Sequence, residues 1–339
     1  MNRVCFISVY FGDITEKMKN FFKSCAWNLG FDWLFVSDHV LTFEVSKNVH
    51  CIYLTKEEFR IKLSEVSGIT VPPFEPYKTC DFRPAFGEVF RKELENYEFW
   101  GISDTDMILG DLSKFITNEL LDNYDKIYTF GHLSIIRNTD EINSLYKVET
   151  TNSRDFKKIF LNPLSCVYDE YEGFTEKMVD VGYRVYFEKK CADIYVTHSR
   201  INVCEKNRFK LIQYRNKYAD YCENVNYKYQ LFTIDNGKIV KYFIKSGNLE
   251  KKEYSYIHKI EYDKEFDLDL DSRYIITPTE LIRCDEFFER VDQNLCNTEY
   301  FIKYNKSYSF IEKIDYLWMF ARYNIRKIRK NVFPRKNEI

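Results

Sequence analysis

Two carboxylates, Asp104 and Asp106, stand one residue apart directly after the apolar run Phe99-Trp100-Gly101-Ile102-Ser103. Desolvating two negative charges so close together is costly unless a cation joins them. Oxygen ligands in that arrangement suit Mg²⁺ or Mn²⁺, and such ions commonly accompany a phosphorylated substrate. As a bare tripeptide the pair also fits a solvated turn. An EF-hand loop is excluded, because Ile108 occupies the third ligand position and Leu109 the place of the required glycine. An aspartyl-phosphate phosphohydrolase would use Asp104 as nucleophile after such a strand. Ile108, where that class carries a hydroxyl or Val, departs from its pattern, as does the long stretch of chain before the motif.

The surrounding elements must bring such a pair to an open edge. Val4 to Tyr10 reads as a buried strand ending at Phe11-Gly12, and Met18, Phe21, Phe22, Cys25, Ala26 and Leu29 then recur with helical spacing. Asp13 or Thr15 is placed to cap that helix and Gly30 to end it. Trp33–Val36 and Val49–Leu54 read as further strands, the latter followed by the helix start Thr55-Lys56-Glu57-Glu58. Strand, helix, strand with short connections predicts a right-handed βαβ unit and a mainly parallel sheet. Pro84 opens a predicted helix ending near Tyr97, and Lys126–Phe130 forms a predicted strand ending at Gly131-His132. In open α/β sheets ligands bind beyond the carboxyl ends of strands. Phe11, Asp38, the Asp104/Asp106 pair and His132 all fall at such ends. Further on, Asn236-Gly237 predicts a type I′ hairpin between Tyr229–Ile234 and Ile239–Ile244. From about Leu281 the chain reads as helical.

The 339 residues suffice for one large domain or a domain with an appendage. With 45% hydrophobic and 18% aromatic residues the chain is a folded protein, and its Tyr and Phe excess supplies either core or stacking surfaces. The balance of 50 basic against 52 acidic residues gives no charge signal for a nucleic-acid partner. The ten cysteines lack Cys-X-X-Cys or zinc-ligand spacing, and no run reaches the roughly 18–20 apolar residues of a membrane span, so a reducing cytoplasm is expected. Gly-X-Gly-X-X-Gly, Walker A and Gly-X-Ser-X-Gly motifs are missing, against dinucleotide enzymes, P-loop NTPases and α/β-hydrolases.

Pro76-Tyr77-Lys78-Thr79-Cys80-Asp81-Phe82-Arg83-Pro84-Ala85-Phe86-Gly87, Phe99-Trp100-Gly101 ahead of Asp104-Thr105-Asp106, and Phe130-Gly131-His132 together resemble a bacterial glycosyltransferase-like family of unknown function. That family is similar to GT-A enzymes of surface-polysaccharide assembly, and the resemblance runs from about Val4 to Lys259. It implies an α/β, GT-A-like fold: a mixed, mainly parallel sheet flanked by helices over residues 1–265. Residues 266–339 would form a mainly helical region with a basic aromatic tail. It also implies a nucleotide-sugar donor, most naturally UDP-linked, and a hexosyl transfer to a glycan or lipid-linked acceptor. Asp104 and Asp106 would be the metal carboxylates for Mn²⁺ or Mg²⁺, and His258 resembles the C-terminal histidine that completes such a site.

Lys78 and Arg83, beside a helix start, are placed to bind a diphosphate, and Asp81 either receives sugar hydroxyls or makes a local cap and ion pair. Asp38 is read as a ribose or base contact or a turn former, Phe11 as a donor contact, and His132 as a contact to acceptor or phosphates. Asp169, Glu170 and Asp193 are candidates for a base that deprotonates the acceptor, each otherwise a loop acid. Tyr316–Lys330 mixes apolar and basic residues at helical spacing, predicting either a docked helix or peripheral membrane contact. The alternatives are the phosphohydrolase and a catalytically silent sugar-nucleotide-binding or scaffold protein.

Overall fold

A computed structural model describes residues 2–170, 172–188, 190–197, 200–203, 227–258, 267–277 and 280–304. The tail segment Tyr316–Lys330 lies outside the described residues. The first strands are β1 (Val4–Tyr10), β2 (Asp32–Ser37), β3 (Val49–Tyr53) and β4 (Phe99–Ser103). β1 pairs in parallel with β2 and with β4, and β2 in parallel with β3. Helix Glu16–Cys25 carries the crossover from β1 to β2 and buries Met18, Phe21, Phe22 and Cys25, as their spacing predicts. Thr15 is its N-cap residue without a side-chain capping bond. Helix Lys56–Ser67 opens with a reciprocal capping box between Thr55 and Glu58 and closes on Gly68 at φ 71°.

Then follow β5 (Met107–Leu109), β6 (Lys126–Ile127), β7 (Leu133–Arg137) and β8 (Val185–Tyr186). The main sheet runs β3-β2-β1-β4-β7-β6-β8, with β7 antiparallel to β4. Alternate residues feed opposite faces. Cys5, Ile7, Leu34, Val36, Trp100 and Ile102 enter one core, and Val4, Phe6, Trp33, Phe35 and Phe99 the other. Gly101 makes this packing possible, because a Cβ there would lie 2.5 Å from the Phe6 ring.

The remaining strands are β9 (Ala192–Thr197), β10 (Arg200–Val203), β11 (Gln230–Asp235), β12 (Lys238–Lys245), β13 (Asn248–Tyr254), β14 (Tyr256–His258), β15 (Arg273–Ile276) and β16 (Leu281–Arg283). They form two further sheets, β10-β9-β14-β5 and β13-β12-β11-β15-β16. The β11–β12 hairpin turns on Asn236 (φ 45°) and Gly237 (φ 74°), the conformation the Asn-Gly pair predicts.

Three sequence expectations are corrected. The helix opened by Pro84 stops at Val89 rather than near Tyr97, and turns continue the chain while Phe90 and Leu94 fill the core. The strand at Lys126 ends at Ile127, because Tyr128 takes φ 62°. Residues 281–283 are a strand, the helix beginning only at Asp285. β15 pairs with β11, and β16 with β15, so strands from both sides of residue 265 share a sheet. Among the described residues no helix is long and apolar enough to cross a membrane. The eight described cysteines are all free, and three of them (Cys5, Cys25 and Cys191) are buried.

Lys126 sits buried on β6, and burial depresses its ammonium to about 7 against the opposing charges of Glu176 and Asp169. An unfolded chain keeps that proton up to about pH 10, so unfolding takes up a proton between roughly pH 7 and 10. Stability is therefore expected to rise across that window, by at most ~1.4 kcal/mol per pH unit from this group. Lys126→Met is expected to flatten the rise in urea titrations. An equally steep profile in the variant would assign the slope to other groups.

Candidate functional site

The edge beyond the carboxyl end of β4 is where two sheets meet. β4 ends at Ser103, and the amide of Asp104 donates to the His132 carbonyl at 2.9 Å, which ties the start of the acidic loop to the entry of β7. His132 thus reaches this edge at the start of β7 and not at the end of β6; antiparallel pairing of β7 with β4 makes the two places coincide. The chain then turns into β5. In the second sheet His258 on β14 is in register with Met107 on one side and with Asp193 of β9 on the other. That register sets His258 between Asp106 and Asp193.

His258 Nε2 lies 3.4 Å from Asp106 Oδ1 and 3.9 Å from Asp104 Oδ2, while Nδ1 lies 3.0 Å from Asp193 Oδ1. With Asp193 receiving the Nδ1 proton, the other ring nitrogen is directed at the acidic pair. This is the carboxylate–histidine relay that orients metal-binding imidazoles. Burial disfavours the imidazolium, yet the carboxylates of Asp106, Asp193 and Asp104 prevail and raise His258 to about 9. Burial is the main cause that raises Asp104; Arg83 opposes it, while Asp106 and Glu170 add to it. The site is thus an anionic pair compensated by a proton on His258, which a divalent cation can replace. Donor atoms of Asp104, Asp106 and His258 all lie within 4.8 Å of one another, and two carboxylates with one imidazole fit Mn²⁺ or Mg²⁺.

His132, Asp193 and His258 form a second three-donor group. Its two imidazoles stack at 4.2 Å and 24°, and Asp193 is bonded to His258 Nδ1. Ring lone pairs in nearly parallel planes do not converge on one ion, so this group backs the first. His132 Nδ1 is 2.8 Å from the Tyr256 hydroxyl, and the Phe130 ring stacks on its imidazole at 5.0 Å.

Arg83 joins this centre to the 164–172 loop. Its Nη2 donates to Asp104 Oδ1, and Nη1 donates to Asp169 Oδ2 at 2.6 Å and to the Gly131 carbonyl at 2.9 Å. Gly131 permits the approach, since a Cβ there would stand 2.2 Å from Asp169 Oδ2. The Asp169 side chain is 3% exposed, and burial chiefly raises its carboxyl to about 7, against the charge of Arg83. Glu170 is half-buried, with Oε1 3.4 Å from the Gly131 amide.

Lys78 and Asp81 are not at this surface. Their side chains are 1% and 0% exposed. Lys78 Nζ donates to Asp81 Oδ2 (2.7 Å), the Ile159 carbonyl (2.7 Å) and the Leu164 carbonyl (2.9 Å). Asp81 also receives the amides of Cys166 on Oδ2 and Tyr168 on Oδ1, both at 2.7 Å, and between these amides Val167 takes φ 54°. The pair is the local ion pair that was the other reading of Asp81, and its further hydrogen bonds go to the segment that leads to Asp169 and Glu170. Phe11 also turns inward. Its ring packs in the core 5.6 Å from Phe59, so only its backbone reaches the edge. Asp38 stays at the edge, receiving the Gly12 amide at 3.2 Å and lying 2.8 Å from His39 Nδ1.

A profile of the Family of unknown function (DUF6625) matches residues 6–285. The chain belongs to that family. No curated protein matches it. Among solved structures, a glycosyltransferase involved in the glycosylation of the major capsid of PBCV-1 aligns with a TM-score of 0.33 and 7% identity. The alignment covers 76% of this chain and 92% of that one. The DUF6625 match takes in every residue of the acidic centre and reaches past the expected end at Lys259 to Asp285.

Two residues of the centre gained roles that sequence reading had not given them. Asp193, one of three candidate bases by sequence, bonds His258 Nδ1, and the Tyr256 hydroxyl bonds His132 Nδ1. The signal for Tyr256 was its spacing. Residues i and i+2 of a strand share a face, so Tyr256 and His258 project together.

Proposed function

We propose that this DUF6625 protein is a divalent-metal-dependent glycosyltransferase whose donor site lies at Asp104, Asp106 and His258. The observation that carries the reading is the convergence of these three side chains at the carboxyl-end edge of β4, with Asp193 holding the imidazole. When bound, Mn²⁺ or Mg²⁺ would neutralise charge on a nucleoside diphosphate as the glycosidic bond breaks. Arg83 keeps one Asp104 oxygen engaged and places fixed positive charge beside that diphosphate. Asp38, at the ends of β1 and β2, is positioned for the ribose or base. The donor is a nucleotide-sugar, UDP-linked in the simplest case, and the acceptor a glycan or lipid-linked glycan of a bacterial surface polysaccharide, handled at the cytoplasmic membrane face. A phosphohydrolase would need Asp104 as nucleophile; no observation favours it over a ligand role, because Oδ1 already receives Arg83.

The test is thermal stability with a panel of nucleoside diphosphates and nucleotide-sugars, with and without Mn²⁺. One nucleotide is expected to stabilise the protein only when metal is present, by about 2.7 kcal/mol at 100 times its dissociation constant. No response to any nucleotide would overturn the donor site.

A further inference from the structure

β3 ends the seven-stranded main sheet and, among the described residues, pairs with β2 alone. Two hydrogen bonds fix which of its backbone groups are left over. The Trp33 amide donates to the Asn48 carbonyl at 2.8 Å, and the Leu54 amide donates to the Ser37 carbonyl at 2.9 Å. Even-numbered positions therefore face β2, and by alternation the backbone groups of Val49, Cys51 and Tyr53 face away from it. The Val49 amide turns back to the Ser46 carbonyl at 2.9 Å. The Val49 carbonyl and both groups of Cys51 and Tyr53 have no partner strand among the described residues.

Exposed sheet edges are normally blunted by shortness, charge, proline or a bulge. The other sheet ends follow that rule. β8 has two residues, β5 and β16 have three each, and β10 starts on Arg200. β13 carries Glu250, Lys251, Lys252 and Glu253. β3 has none of these devices. Its register with β2 is unbroken, and Val49-His50-Cys51-Ile52-Tyr53 contains no Asp, Glu, Lys, Arg or Pro. Cys51 is exposed, and Tyr53 is 62% exposed.

The strand is also complementary to itself. Two copies related by a two-fold axis at Cys51 would lie antiparallel, with Cys51 opposite Cys51 and Tyr53 opposite Val49 of the second copy. The two Cys51 residues would then exchange both their hydrogen bonds, and each Tyr53 amide would donate to the other Val49 carbonyl. No like charges from Asp, Glu, Lys or Arg meet along the strand. At its ends opposite charges do. The exposed Lys47 precedes the strand, and it would lie beside the other copy's helix start, where Glu58 accepts the Thr55 hydroxyl at 2.6 Å.

We infer that β3 is a dimerisation edge, through which a second copy of this chain joins the two main sheets into one. This inference is independent of the donor-site reading.

The experiment uses the full chain. Analytical ultracentrifugation in reducing buffer, between about 1 and 100 μM, is expected to show a monomer–dimer equilibrium. Cys51 is exposed and packs in neither core of the main sheet, so its substitution spares the fold. Cys51→Lys and Cys51→Asp should each weaken association about fivefold, by setting like charges opposite one another. An equimolar mixture of the two variants should regain the dimer. Oxidation supplies a positional readout. Opposed residues of such a pair have Cα atoms about 5.5 Å apart, and disulfides span roughly 5.5–6 Å. Diamide, which takes up the two hydrogens lost by two thiols, should link Cys51 to Cys51 of the second copy. The link should vanish in Cys51→Ser while that variant still dimerises. A monomer throughout the range, association unchanged in Cys51→Lys, or a charge-swapped mixture no tighter than either variant alone overturns the inference.

Discussion

Asp106→Asn is expected to abolish the Mn²⁺-dependent stabilisation by nucleotide while leaving the unliganded protein folded. The Asp106 side chain is 50% exposed and contributes to no core, so its loss costs the fold little. The effect on the site should be large. An amide oxygen carries no charge, and the remaining centre would be one carboxylate, itself bonded to Arg83, with one imidazole. The stabilisation of about 2.7 kcal/mol expected at 100 times the dissociation constant should collapse toward zero at the same ligand concentration. Differential scanning fluorimetry with and without Mn²⁺ measures this directly. A wild-type metal response in the variant would remove Asp106 from the centre.

Lys78→Ala should give the largest loss of folding stability among the substitutions considered. The lysine is fully buried against Asp81, and removing one partner of a buried pair leaves the other charge uncompensated, at about 3–5 kcal/mol. Two carbonyls, those of Ile159 and Leu164, lose their donor as well. The consequence reaches the site, because Asp81 holds the Cys166 and Tyr168 amides on either side of Val167. A β-branched residue at φ 54° persists only where its surroundings impose that conformation. Urea unfolding at pH 7 is the measurement, and a loss below about 1 kcal/mol would show that the pair does not hold the loop.

Much of the framework was legible because its causes are local. The capping box between Thr55 and Glu58 and the hairpin at Asn236-Gly237 depend on residues within a few positions of one another. The alternation in β1 and the spacing of Met18, Phe21, Phe22 and Cys25 specify faces whatever the rest of the chain does. Asp104 and Asp106 announced themselves for the same reason, being adjacent charges behind an apolar strand. The short β6 and the strand at 281–283 were not legible. Tyr128 takes φ 62° and ends β6, and β16 extends a sheet through β15, which pairs with the distant β11.

The roles of the polar residues divide along the same line. By itself the sequence determined that an acidic pair would stand at a strand end and that a parallel βαβ unit would carry the edge. Only the tertiary structure decided that Arg83 would meet Asp104 and Asp169, that Lys78 and Asp81 would be buried under the 164–172 loop, and that Asp193 would hold His258. Asp193 and His258 are 65 positions apart, and Arg83 and Asp169 are 86 apart. Residue type states which bonds a side chain can make. Strand register and burial select which of them it does make, since a charge withdrawn from water must pair with whatever the fold brings within reach.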